Sequence, residues 1–170
     1  MSQLLALLNR LKVEARSELL TDNQQLAWKE IRRLLQFPER VNLSGECGGG
    51  KTFLGWALAR TLDVVLFTTP MALHQSDFFN KRECLVVVDN ATSELGDLRW
   101  LLAELQMRNG RSTLIITRKP NQIGLPLIHL PLPTPQDIAI VYRNLSLLER
   151  YALRPRTEGD LWQIIYSTLL

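Results

Sequence analysis

An α/β domain built on a parallel sheet of about five strands is the fold class this sequence predicts. Three observations lead there. Gly45 to Thr52, G-E-C-G-G-G-K-T, fits the phosphate-binding pattern G-x-x-x-x-G-K-[ST] and lies between a short apolar stretch and a helical one. Leu85 to Val88 form an unbroken apolar run closed by Asp89, as in a strand buried on both faces of a parallel sheet. Strand and helix patterns alternate between these landmarks, which favours right-handed crossovers between parallel neighbours.

In chain order, residues 2 to 19 read as a helix opened by Ser2, with Leu4, Leu8 and Leu11 on one stripe and Lys12, Glu14 and Arg16 off it. Packing on the domain is the expected use of those leucines, and docking a partner is the alternative. A second helix opens at Leu20 to Ala27 and runs to about Gln36, before Phe37 and Pro38. Thr21 and Gln24 make an ordinary capping box, S/T-x-x-E/Q. The same passage, L-T-x-x-Q-x-x-A, resembles the adenine-reading Gln motif that precedes the phosphate loop in some helicases. That resemblance would set the Gln24 amide against the edge of an adenine ring.

Val41 to Ser44 is read as a strand and Phe53 to Arg60 as the helix after the loop. The chemistry needs this order of residues. Gly45, Gly48, Gly49 and Gly50 let the backbone curl, with Glu46 and Cys47 between them, so that successive N–H groups face phosphate oxygens. The helix N-terminus through Phe53 adds its partial positive charge. Lys51 reaches the β- and γ-phosphates, and the Thr52 hydroxyl coordinates Mg²⁺. A glycine-rich turn that binds nothing has no use for Lys-Thr at those offsets. The expected ligand is therefore Mg²⁺ with ATP or ADP.

Residues 63 to 69 give a second strand ended by Pro70, and residues 71 to 80 a short helix or loop whose His74 and Asp77 are read as surface polar groups. Cys84 to Asn90 is the third strand. Its Asp89 stands at the C-terminal end, where ligands bind in such sheets, and is placed to hold the Mg²⁺ shell. Glu94 to Asn109 is a leucine-striped helix stopped by Asn109-Gly110, with Trp100 read as packing. Ser112 to Thr117 is a fourth buried strand, and Thr117 at its end would reach the γ-phosphate or the attacking water. After a loop with Pro120, Gly124 and Pro126, residues 127 to 130 form a short fifth strand. Thr134 then caps a helix from about Gln136 to Leu148. A basic turn at Arg150, Arg154 and Arg156 precedes a terminal helix from Leu161.

At 170 residues the chain is expected to be one domain with a substantial core: N-terminal helices over 1–38, a nucleotide-binding core over 39–133 and a short helical lid over 134–170. A net charge of +3 permits a nucleic-acid partner without arguing for one, because the basic residues are scattered. The nearest cluster, Arg108, Arg111, Arg118 and Lys119, is read as a solvated face. Two cysteines are too few for a disulfide framework and fit a reducing compartment. Cys84 is read as core, and Cys47 as a tolerated loop side chain, with a reactive thiol the alternative. No apolar run approaches the length of a membrane span, so a cytoplasmic protein without a membrane partner is expected.

The succession of motifs resembles the AAA+ and STAND branches of the P-loop ATPases. Val86 to Asn90 followed by Asp97 to Leu102 is similar to the Walker B strand and next helix of NB-ARC-type STAND domains. Leu114 to Arg118, L-I-I-T-R, is similar to their "TR" strand, and Leu130 to Ala139 to their passage into the lid. The resemblance covers about residues 40 to 142. It implies a three-layer P-loop NTPase fold with strand order 5-1-4-3-2, a minimal helical lid, and an Arg118 that contacts the γ-phosphate.

Departures from the family pattern bear on the chemistry. AAA+ members follow the Walker B Asp with a Glu that activates water, and here Asn90 stands in that place. Asn orients a water but takes no proton, which implies slow hydrolysis; Glu94 is the substitute candidate. The lid's usual sensor Arg would fall near Trp162, with Arg154 and Arg156 nearby. Gly124 to Leu127 spells the NB-ARC lid tetrapeptide but lies ahead of the lid. Lys51, Asp89, Asn90, Thr117 and Arg118 are thus the catalytic candidates. Two functions remain open: a nucleotide-gated switch or assembly subunit working with a protein partner or with copies of itself, and an ATPase subunit acting on DNA or RNA.

Overall fold

The computed structural model describes residues 2–37, 39–62, 65–73, 85–107 and 112–149. Helix α1 (Ser2–Glu14) is followed by a 3-10 turn (Ser17–Leu19) and α2 (Asp22–Leu34). Then come β1 (Arg40–Ser44), α3 (Lys51–Thr61), β2 (Val65–Thr68), α4 (Pro70–Leu73), β3 (Leu85–Ala91), α5 (Leu95–Met107), β4 (Ser112–Thr117), β5 (Leu127–His129) and α6 (Pro135–Glu149). All five strands are parallel, in the order β2-β3-β4-β1-β5. Read from the other edge, that is the expected 5-1-4-3-2.

Period-two alternation divides the sheet's side chains between two cores. Val41, Leu43, Val87, Leu114 and Ile116 point to one face, with Ala27, Trp28 and Ile31 of α2 and Leu54, Ala57 and Leu58 of α3. Val86, Val88 and Ile115 point to the other, with Leu98, Leu101 and Leu105 of α5. The result is the three-layer α/β/α arrangement. The first helix is shorter than its leucine pattern predicts, because Arg16 takes an extended backbone and the chain turns there into the 3-10 segment. Leu7 and Leu11 of α1 pack on Ile138, Tyr142 and Leu145 of α6, with Trp56 of α3 beside them. The first helix and α6 therefore pack together, and both border a cavity at the sheet's C-terminal rim.

Among the described residues, no helix lies over β1 on the second face. The segment between β4 and β5 covers it instead, and Ile123 and Leu125 join that core. Such a loop carries backbone groups that need partners when buried, and the residue facing it from β1 is Asn42, fully buried.

Candidate functional site at the C-terminal rim of the sheet

The phosphate loop leaves β1 at Ser44 and enters α3 at Lys51. Two glycines there are dictated by space and backbone. Gly45 has φ of +156°, and a Cβ on it would collide with the Leu130 carbonyl oxygen at the end of β5. Gly50, the residue before α3, has φ of +84°, a left-handed conformation that glycine adopts freely. Lys51 folds back across the loop, its Nζ donating to the carbonyl oxygens of Gly45 and Glu46, both at 2.7 Å. Burial pushes the Lys51 ammonium below its ordinary pKa, while Cys47, Asp89 and Glu46 pull it back up. Gly48 and Gly49 are buried, whereas Glu46 and Cys47 are exposed.

Facing the loop, the Thr52 hydroxyl donates to Asp89 Oδ2 at 3.0 Å. Asp89 Oδ1 accepts from the Asn90 N–H at 2.9 Å. Burial raises the Asp89 pKa above the usual carboxylate value; the Thr52 and Asn90 hydrogen bonds and the Lys51 charge oppose that shift. Asn90 carries φ of +58°, the left-handed region in which Asn is better tolerated than most residues. It sits where the β3–β4 register shifts between Val88 and Ala91, so the bulge turns the chain just after Asp89. One hydroxyl and one carboxylate offer hard oxygen ligands, and Mg²⁺ is held by one or two carboxylates together with substrate phosphates. Thr52 and Asp89 would hold it here, where it would neutralise phosphate charge.

A cavity of about 640 Å³ opens over these groups, lined by Lys51, Thr52, Asp89, Asn90, Thr117 and Arg118 at the rim. Its other wall is largely apolar: Leu8 and Leu11 from α1, Phe53 and Trp56 from α3, Val141 and Leu145 from α6. The rim fits phosphates and the apolar wall fits a flat heteroaromatic base.

Two further candidates also have their polar atoms engaged within the protein. Gln24 makes the capping box, its Oε1 accepting from Thr21 N at 2.9 Å while Thr21 Oγ1 accepts from Gln24 N. Its Nε2 donates to the Gly50 carbonyl at 3.1 Å, which ties α2 to the phosphate loop. The amide borders the cavity but is already paired on both sides. Thr117 is buried; its hydroxyl donates to the Lys119 carbonyl at 2.7 Å and accepts from Asn42 Nδ2 at 2.9 Å. Arg118 is exposed beside it and adds positive charge near Lys51.

Asn42, Asn121, Asp137 and Asn144 did not stand out in the sequence. Asn42 carried a signal, as the polar residue in an otherwise apolar strand. Asp137 is buried and joins two helix N-termini: it accepts from Thr134 N and Oγ1, both at 2.9 Å, and from Asn23 Nδ2 at 2.7 Å. Asn144, lining the cavity from α6, donates to the Leu19 carbonyl at 2.9 Å. His74, Asp77, Cys84, Arg108, Arg111, Arg154, Arg156 and Trp162 lie outside the described residues, as does the terminal helix expected from Leu161.

No protein-family model matches the chain, and no curated protein matches it in sequence. Its structure is similar to that of a DNA replication initiation factor, with a TM-score of 0.64 at 14% sequence identity. The match covers 92% of this chain but spans only 63% of the other. At that identity the likeness speaks for the fold alone, an α/β architecture of the P-loop NTPase type.

Proposed function

We propose that this chain is an ATP-binding P-loop ATPase, of AAA+ or STAND-like type, that couples ATP binding and slow hydrolysis to a conformational change or to assembly with a partner. The observation that carries this is the hydrogen bond from Thr52 to Asp89 at the mouth of a glycine loop spanned by Lys51. Lys51 and Thr52 from the start of α3 and Asp89 from β3 converge where phosphates and Mg²⁺ would sit. ATP or ADP would place its phosphates against Gly45 to Thr52 and its base against the apolar wall between α1, α3 and α6. The partner would be a protein or further copies of the chain. The packing of α1 on α6 supports that switch reading, because both elements border the cavity and could report its occupancy.

Titration calorimetry of Mg·ATP against wild type and Lys51→Ala tests the reading. Loss of the loop's ammonium should lower affinity on the order of a hundredfold, as expected for charge-assisted contacts to phosphate. Equal affinity in both proteins would overturn it.

A second reading, a nucleic-acid-dependent ATPase subunit, is favoured by the structural likeness to a replication initiation factor and by the mildly basic charge. Turnover stimulated by DNA or RNA would select it. Slow turnover indifferent to nucleic acid, with nucleotide-dependent assembly, would select the first.

A further inference from the structure

We infer that Asn42 and Asn121 are positioning residues for Arg118, acting through the turn that follows Thr117. This rests on reading the cavity as an ATP site.

Asn42 lies in the middle of β1, the strand that runs into the phosphate loop, and is fully buried. A buried amide is unfavourable unless each of its groups is paired. Here all are. Nδ2 donates to the Ile115 carbonyl and to Thr117 Oγ1, both at 2.9 Å. Oδ1 accepts from Asn121 N at 3.0 Å and from Asn121 Nδ2 at 3.3 Å. Asn121 then closes its own loop, with Oδ1 accepting from Ile123 N and Leu125 N at 3.1 and 3.0 Å and Nδ2 donating to the Leu125 carbonyl at 3.1 Å. The Thr117 hydroxyl completes the frame by donating to the Lys119 carbonyl.

Arg118 stands between those anchors. Thr117 fixes the chain before it, and Lys119 and Asn121 fix it after. Its side chain lines the same cavity as Lys51 and Asp89. A long cation on a free loop would lose much of its rotamer and backbone freedom on meeting a phosphate. On a loop held by a saturated amide network, less of that freedom remains to be lost. A simpler purpose, covering the back of β1, would be met by an apolar residue at position 42 with an apolar loop over it. The amide instead links the strand entering the phosphate loop to the turn that carries Arg118. Thr117 then acts through Arg118, with its hydroxyl inside the frame.

The test compares ATP and ADP affinities, because a residue serving the terminal phosphate changes their ratio whereas general destabilisation lowers both. Asn42 is fully buried, so the half-buried Asn121 is changed instead, Asn121→Ala, together with the near-isosteric Thr117→Val at the buried Thr117, Arg118→Ala and the doubles with Arg118→Ala. Arg118→Ala should lower the ATP-over-ADP preference on the order of tenfold. Asn121→Ala should reproduce most of that with ADP affinity held within about twofold, Thr117→Val should lower the preference in the same direction, and the doubles should lose no more than Arg118→Ala alone. Losses that add in the doubles, or a preference untouched by Asn121→Ala, would overturn the inference. An Arg118→Ala protein that keeps the preference would overturn it too, while leaving nucleotide binding intact. If wild type bound neither nucleotide, the reading of the cavity itself would fall.

Discussion

The Thr52 hydroxyl donates to Asp89 Oδ2 at 3.0 Å, joining the first turn of α3 to the end of β3. The two groups leave strand-loop-helix and strand segments far apart in the chain, yet both are oxygen ligands suited to one small divalent ion. Asp89→Asn keeps the shape and removes the charge. In calorimetry with and without Mg²⁺, wild type should gain ATP affinity from the ion, and Asp89→Asn should lose most of that gain, roughly 10–100-fold. An undiminished Mg²⁺ response in the variant would mean that the ion is held elsewhere.

The parallel sheet was legible because apolar runs, a glycine loop and an Asp at a strand end each obey local rules, whereas its strand order came only from the resemblance of the motif succession to P-loop ATPases. The phosphate loop was legible for the same reason, since Gly45 and Gly50 answer to backbone geometry that few other residues accept. Gln24 shows where such reading stops. One short motif satisfied both a capping box and an adenine reader, and the Gly50 carbonyl, distant in sequence, engages the amide in the structure. Thr117 lines the cavity as the end of a strand would suggest, but its hydroxyl's partner Asn42 lies on another strand, which the local sequence does not show. Asp137 and Asn121 were likewise hidden, since their roles arise only when separate helix ends and loops meet. Pairing across long sequence separations has no local signature.

For Gln24 the structure favours a role in holding the loop. Gln24→Ala removes half of the capping box and the anchor on Gly50. Thermal unfolding should show a loss of about 1 kcal/mol, the usual size of a cap. ATP and GTP affinities should then fall together, because the geometry of the phosphate loop is common to both. A drop confined to ATP would instead restore the adenine-reading role.

Asp137 makes stability depend on pH in a stated direction. Burial pushes its pKa up, but hydrogen bonds from Thr134, Asn23 and Thr21 outweigh that and hold it below the ordinary carboxylate value of 3.8. A depressed carboxylate contributes stability that is complete above its unfolded pKa and is lost as pH falls through the folded one. Asp89, raised by burial, has the opposite sign. Wild type against Asp137→Asn in denaturant titrations isolates the first. The difference between them should be largest at neutral pH and shrink as pH falls below about 4. A gap that stays constant down to strongly acid pH would show that the Asp137 charge does not hold α2 and α6 together.

The last prediction concerns rate. Phosphoryl transfer to water depends on positioning and on neutralising charge at the terminal phosphate, with little covalent work for the protein. On the proposed reading, Lys51, Thr52 and Asp89 would serve the phosphates of a bound nucleotide, and Arg118 would face the charge that develops. At the position after Asp89, where the AAA+ resemblance leads one to expect a glutamate, this chain has Asn90, exposed and with φ of +58°. Its amide can orient a water without removing the proton. The bulge also makes that position more than a choice of chemistry. Asn90→Glu would put a longer side chain on a left-handed backbone, a strain on the order of 1 kcal/mol, and the carboxylate would not inherit a water-activating geometry. Turnover by wild type should therefore be weak at low protein concentration. It should rise with concentration or with a partner, where a neighbouring arginine can add roughly 10³–10⁵. Asn90→Glu should lower thermal stability without restoring fast hydrolysis, and Arg118→Ala should reduce turnover further. The measurement is steady-state phosphate release against protein concentration for the three proteins. Fast, concentration-independent release that survives Arg118→Ala would place the reaction's charge stabilisation on other groups.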